Sequence, residues 1–289
     1  MPDGFSAALR LLPPRMQRVA AALEQADRDR AEEFRLRAGR APAVLLGAEE
    51  RELPVSAVTG ADLRTVMDAA TRCSFHAAAE QLRRGYLAAP DGVRVGVCGT
   101  AVVEGTVRTF REISSLALRI PRQIVGAGRE ILPQLRDGSV LILSPPGGGK
   151  TTFLRELVRY LSDGGARVGL ADERGEIAGA FDGTPRFDVG RHTDVLSAAP
   201  RAEAALLLLR AMNPQVIALD EISDPADAEA IAHIAFCGVR ILATAHAASP
   251  EQFSGKLPVY RRLLEQRVFD RAAVIVNRGG RRSYALQRL

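Results

Sequence analysis

The sequence predicts an α/β protein in which a parallel central sheet is built around a phosphate-binding loop and preceded by a smaller α+β domain. Three observations predict it. An apolar run, Leu141-Ile142-Leu143, ends in Ser144-Pro145-Pro146-Gly147-Gly148-Gly149 and passes through Lys150-Thr151-Thr152 into Phe153, Leu154, Leu157, Val158 and Leu161 at helical spacing. Beyond it, short apolar runs alternate with helical patterns, the layout of strands joined by crossover helices. Before it, runs of alternating polarity are joined by glycine turns.

In chain order, residues 1–30 read as a helix-rich lead-in. From Glu33 the pattern alternates, with Phe34, Leu36 and Ala38 opposite Arg35 and Arg37, and Val44-Leu45-Leu46 follows a Gly-Arg-Ala-Pro turn. Thr59-Gly60-Ala61-Asp62 opens one helix and Ser74-Phe75-His76 another. Val93–Val97, Thr100–Val103, Thr106–Phe110 and Ser115–Ile120 read as four short strands. The domain so outlined covers residues 1–122, a linking helix is expected within 123–138, and the second domain covers 139–289. In that domain strands are expected at Val140–Leu143, Val168–Ala171, Val216–Leu219 and Val239–Ala243, with helices near 151–162, 200–212 and 225–237. Asn277-Arg278-Gly279-Gly280 reads as the turn of a hairpin between Ala273–Val276 and Ser283–Leu286.

The chemistry gathers where the strands end. Glycines let backbone N–H groups approach phosphate oxygens, and Thr151 and Thr152 sit where a helix N-terminus favours an anion. The nucleotide-binding residues are therefore Pro146, Gly147, Gly148, Gly149, Lys150, Thr151 and Thr152, with Lys150 reaching the β- and γ-phosphates and the Thr151 hydroxyl a ligand for Mg²⁺. Lys150 is one of two lysines, with Lys256, in a chain that otherwise uses arginine. The run Gln215–Leu219 ends in Asp220-Glu221, placing Asp220 at the Mg²⁺ hydration shell and Glu221 at the attacking water. Asp172-Glu173-Arg174-Gly175-Glu176 follows another strand, which makes Glu173 a further catalytic candidate. Thr244 and His246 end a fourth, where His246 can donate to the γ-phosphate or relay its presence.

The totals exclude several classes. The 289 residues carry 39 basic and 34 acidic side chains, a net charge of +5, too mild to require nucleic acid as partner. No apolar run approaches the roughly 18–20 residues that cross a bilayer, and no signal-peptide core opens the chain, so a cytosolic protein able to dock on a membrane protein is expected. Cys73, Cys98 and Cys237 are isolated, without disulfide or zinc spacing.

Asn213-Pro214-Gln215-Val216-Ile217-Ala218-Leu219-Asp220-Glu221 followed by Ala243-Thr244-Ala245-His246 resembles the Walker B and histidine-box region of the secretion and pilus motor ATPases, and Asp172–Glu176 resembles their aspartate box. Within that superfamily, Asp172–Gly179, Gly190–Leu196, Phe34-Arg35-Leu36-Arg37 and Arg94–Gly99 are similar to a family of stage III sporulation proteins. The resemblance implies a RecA-like ATPase domain that uses ATP and Mg²⁺ and works as a homo-oligomeric ring, a hexamer. It further implies a place on the cytoplasmic, mother-cell side of a membrane-embedded channel to the forespore, powering its assembly or transport through it. In such a ring an arginine of the adjacent subunit completes the site, with Arg94, Arg111, Arg119, Arg191 and Arg210 as candidates. Two departures stand out: Ser144 replaces the first loop glycine, and Asp220 stands where many secretion motors have glycine.

Two other readings compete. A nucleic-acid-dependent RecA-like translocase would share the sheet and its carboxylates, but the aromatic-interleaved basic groove it needs is poorly served by 5% aromatics and no tryptophan. A slow, nucleotide-gated channel scaffold would share the whole site, because carboxylates suited to hydrolysis do not set a rate.

Overall fold

The computed structural model describes residues 3–72, 79, 81–83, 85–278 and 281–289. Cys73, the Ser74-Phe75-His76 helix start and the Gly279-Gly280 turn lie outside them. The chain forms two compact units, Met1–Arg122 with Phe181–Arg186, and Gln123–Ala180 with Phe187–Leu289.

The first unit is an antiparallel sheet under helices. Strands β1 (Ala31–Arg37), β2 (Ala43–Leu46), β3 (Glu49–Glu52), β4 (Tyr86–Ala88), β5 (Arg94–Glu104) and β6 (Thr106–Arg119) are ordered β3-β2-β1-β6-β5-β4. The apolar side of the alternation, Phe34 and Leu36 with Val44, Leu116 and Leu118, packs against Phe5, Met16, Leu63 and Met67 of the helices Gly4–Leu9, Pro14–Ala20 and Gly60–Thr71. Thr59 and Asp62 close a reciprocal capping box at the start of the last of these. The four short strands expected over 93–120 are two long ones, β5 and β6, paired around Gly105. Three register shifts, beginning at Cys98/Gly99, break their alternation into what reads as separate runs. The segment Phe181–Arg186 joins this unit through Arg72, which pairs with Asp182 at 3.0 Å and lies 4.7 Å from the centre of the Phe181 ring.

The second unit is a seven-stranded sheet with the order β13-β12-β7-β11-β10-β8-β9. Strands β7 (Val140–Leu143), β8 (Val168–Asp172), β9 (Thr193–Ser197), β10 (Val216–Leu219), β11 (Arg240–Ala245) and β12 (Arg271–Arg278) pair in parallel. β13 (Arg281–Arg288) runs antiparallel to β12. Both faces are covered. Val140, Ile142, Val216 and Ala218 face Phe153, Leu154 and Leu157 of the helix Lys150–Asp163. Leu141, Leu143, Ile217 and Leu219 face the helices Arg201–Met212, Pro225–Phe236, Pro250–Lys256 and Pro258–Glu265. Such two-sided burial explains why the central strands are apolar throughout rather than alternating.

The expected linking helix is not one. Residues 125–131 form turns that close in a 3-10 helix, Leu132–Leu135, because Gly126 and Gly128 take positive φ and Pro133 lacks a donor.

Candidate functional site

Four strand ends build the site: those of β7, β8, β10 and β11, all at the carboxyl edge of the sheet, where open α/β sheets bind ligands. After β7 the loop Ser144–Gly149 turns into the helix Lys150–Asp163. Pro146 and Gly147 form its exposed rim, while Gly148 is buried against Ser144. A Cβ at position 148 would lie 1.7 Å from the Ser144 hydroxyl, so only glycine fits. Gly149, the helix N-cap, has φ of 99°, and no side chain caps the helix and no acid sits in its first turn. The backbone N–H groups around Lys150, Thr151 and Thr152 are left as donors for an anion.

Lys150 is 6% exposed. Its ammonium lies 2.8 Å from His246 Nδ1 and donates to the Ser144 carbonyl at 3.4 Å. Burial pushes its pKa below the usual lysine value, against the opposing pull of Asp220 and Glu221. The other imidazole nitrogen, Nε2, lies 3.3 Å from Glu221 Oε1. With Nδ1 accepting from Lys150, the proton of a neutral imidazole is on Nε2, the nitrogen that faces Glu221. The second lysine, Lys256, donates to the His246 carbonyl, so both lysines of the chain hold one histidine.

One hydroxyl locks the two acids after β10. Thr244 donates to Asp220 Oδ1 at 2.6 Å and accepts from the Glu221 backbone N–H at 2.8 Å. Thr151 donates to Asp220 Oδ2 at 2.8 Å. Glu221 itself has φ of 48°, in the left-handed region that a side chain disfavours. Arg174 Nη1 stands 3.9 Å from its Oε2.

The acids after β8 divide. Asp172 is buried and accepts from the N–H groups of Ile177 and Ala178, at 3.2 and 2.8 Å. Burial raises its pKa despite those bonds. It shapes the loop. Glu173 reaches across to Arg201, at 2.9 Å, and both line a small cleft with Asp220 and Glu221. Arg201 escaped the sequence reading, because its meaning depends on partners 20 to 28 positions away.

Of the arginines considered for a neighbour's site, Arg94 stacks 3.9 Å from the Tyr86 ring centre, Arg119 lies 3.6 Å from Glu33 and Arg191 lies 3.7 Å from Asp163. Arg111 and Arg210 are exposed.

The residues fit a nucleotide with Mg²⁺. The glycine cradle has no room for a Cβ at Gly148, the Ser144 hydroxyl is buried without a hydrogen-bond partner, and Thr151 and Asp220 present the hard oxygen donors that Mg²⁺ takes. Among the described residues no group of three or more His, Cys, Asp or Glu side chains could hold a metal unaided.

A family model described as sporulation stage III, protein AA matches residues 6–284. The chain belongs to that family. Stage III sporulation protein AA of Bacillus subtilis (strain 168) is 34% identical over 270 residues, which cover 90% of this chain and 87% of that protein. Among solved structures, the pilus retraction motor PilT with bound ADP superposes with a TM-score of 0.62 at 16% identity, over 92% of this chain and 83% of its own. The Legionella pneumophila ATPase DotB gives 0.59 at 17% identity, over 95% and 81%. These likenesses show a shared fold, that of PilT and DotB. Among the described residues no helix is long and apolar enough to cross a membrane.

Proposed function

We propose that this member of the family is an ATP-hydrolysing motor that uses Mg²⁺ and works as a homo-oligomeric ring, a hexamer. It docks from the cytoplasmic, mother-cell side on a membrane-embedded channel protein and powers assembly of, or transport through, the channel to the forespore. The single observation that carries the enzymatic part is the chain of contacts from Thr151 through Asp220 and Thr244 to Glu221. It joins the start of the phosphate-loop helix to the carboxylate best placed for water.

In this reading the N–H groups of the loop and helix start hold the phosphates, and Lys150 neutralises the β- and γ-oxygens. Thr151 and Asp220 hold Mg²⁺, which when bound offsets charge on the phosphates. Glu221 orients the attacking water and takes its proton, and His246 fixes that carboxylate through Nε2. An arginine of the adjacent subunit, drawn from Arg94, Arg111, Arg119, Arg191 and Arg210, supplies positive charge at the transferring group.

The test is Glu221→Gln, which keeps the shape and removes the base. ATP and ADP affinities stay within about twofold while turnover falls by about 10²–10⁴. Hydrolysis at the unaltered rate would remove Glu221 from this role, and binding without turnover in the unaltered protein would leave a nucleotide-gated scaffold.

A further inference from the structure

Arg201 opens the helix Arg201–Met212 and is 8% exposed. Its guanidinium gathers four groups from two stretches of chain, one after β8 and one after β10. Nη2 donates to Glu173 Oε2 at 2.9 Å, after β8. Nη1 donates to the Glu221 carbonyl, to Ser223 Oγ at 3.0 Å and to Asp227 Oδ2 at 3.1 Å. A planar fork with five donors can do this; a lysine ammonium, a point charge on a flexible stem, cannot hold both ends in fixed geometry.

The partners have different freedom. Asp227 also accepts from the N–H groups of Ser223 and Asp224, both at 3.1 Å, and closes the capping box of the helix Pro225–Phe236, so it is a fixed post. Glu173 lies on the open cleft side, with its side chain 25% exposed. Between them the backbone of Glu221 is bent into the left-handed region, a strained conformation that persists only where neighbours over-determine it. Two contacts do so: Thr244 holds its N–H, and Arg201 holds its carbonyl.

We propose that Arg201 is a positioning residue for hydrolysis, clamping the Glu221 backbone in its bent conformation and tying it to Glu173 across the cleft. The proposal rests on the ATPase reading above. It assigns Glu173 the task of holding the clamp rather than proton transfer.

The experiment measures kcat and KM for ATP, ADP affinity by titration and the melting temperature, in the full-length chain carrying Arg201→Gln, Arg201→Lys, Glu173→Gln or the Arg201→Gln/Glu173→Gln pair. Arg201→Gln lowers kcat at least tenfold with ADP affinity within twofold of the unaltered protein. Arg201→Lys recovers part of the loss, and the pair is no worse than Arg201→Gln alone. A merely structural role moves ADP affinity and melting temperature together with kcat, and that outcome overturns the proposal, as does unchanged kcat in Arg201→Gln. If Arg201→Gln does not fold, unaltered kcat in both Arg201→Lys and Glu173→Gln overturns it, and a selective kcat loss in either supports it. Turnover in the unaltered protein with indifferent variants removes only the Arg201 role; nucleotide binding without any turnover removes the ATPase reading and this proposal with it.

Discussion

At the scale of single residues, the phosphate loop is a problem of free space. Ser144 occupies the volume that a side chain at position 148 would need, so the serine and the glycine are one device. Gly148→Ala forces the loop to move, and ADP affinity measured by calorimetry falls at least tenfold. Combining it with Ser144→Gly, which clears the nearest obstructing atom, recovers part of that loss; no recovery would mean that the obstruction lies elsewhere in the loop. The placement of Gly147–Thr152, Asp220 and Glu221 at one sheet edge could be read from the sequence because the pattern is local: a strand end, small residues, then a charge. That of Arg201 could not, since one arginine among the many in this chain is distinguished only by what folding brings to it.

Among the elements, the helix Gly60–Thr71 shows how a cap can dominate a carboxylate. Burial of Asp62 pushes its pKa up, yet hydrogen bonds from Arg15 and from the Thr59 hydroxyl and backbone outweigh it and hold the value at about 2. A carboxyl depressed in the folded state stabilises it above the unfolded pKa of about 3.9, and that contribution is lost as pH falls towards about 2. Asp62→Asn therefore lowers the denaturant midpoint at pH 7, by a cost of about 1–2 kcal/mol, and flattens the acid limb between pH 4 and 2. An unchanged acid limb in this variant would assign the acid sensitivity to other carboxylates. The central strands of the second unit were legible because they are apolar on both faces. The β5–β6 pair was cut into four by its bulges, and β9, an edge strand of mixed polarity, gave no clear period. The helices Pro250–Lys256 and Pro258–Glu265 also escaped, although the Ser249 side chain caps the Gln252 N–H at 3.3 Å in a pattern the sequence displays.

For the molecule as a whole, the proposed ring, in which a neighbour finishes the site, makes activity a matter of association. Turnover per chain rises with protein concentration and levels off where light scattering, in the presence of ATP and Mg²⁺, detects a ring-sized species. Constant turnover from a monomer would remove the ring from the mechanism. The change of pattern near residue 139 does not mark where the units divide: residues 123–138, read in the sequence as a link, belong to the second unit. The allegiance of Phe181–Arg186 to the first unit was not legible either, because a short segment between glycines carries no sign of which core it will join.

His246 is engaged on both sides before any ligand arrives: Lys150 at one nitrogen, Glu221 at the other. In the proposed site, entry of a phosphate is thus a trade and not a simple addition, because the ammonium it would claim already contacts the imidazole. Drawing Lys150 away in that site frees Nδ1 of the imidazole and leaves Nε2 beside Glu221. In that reading a single ring joins the loop's lysine to the strand-end carboxylate, over 2.8 Å on one side and 3.3 Å on the other.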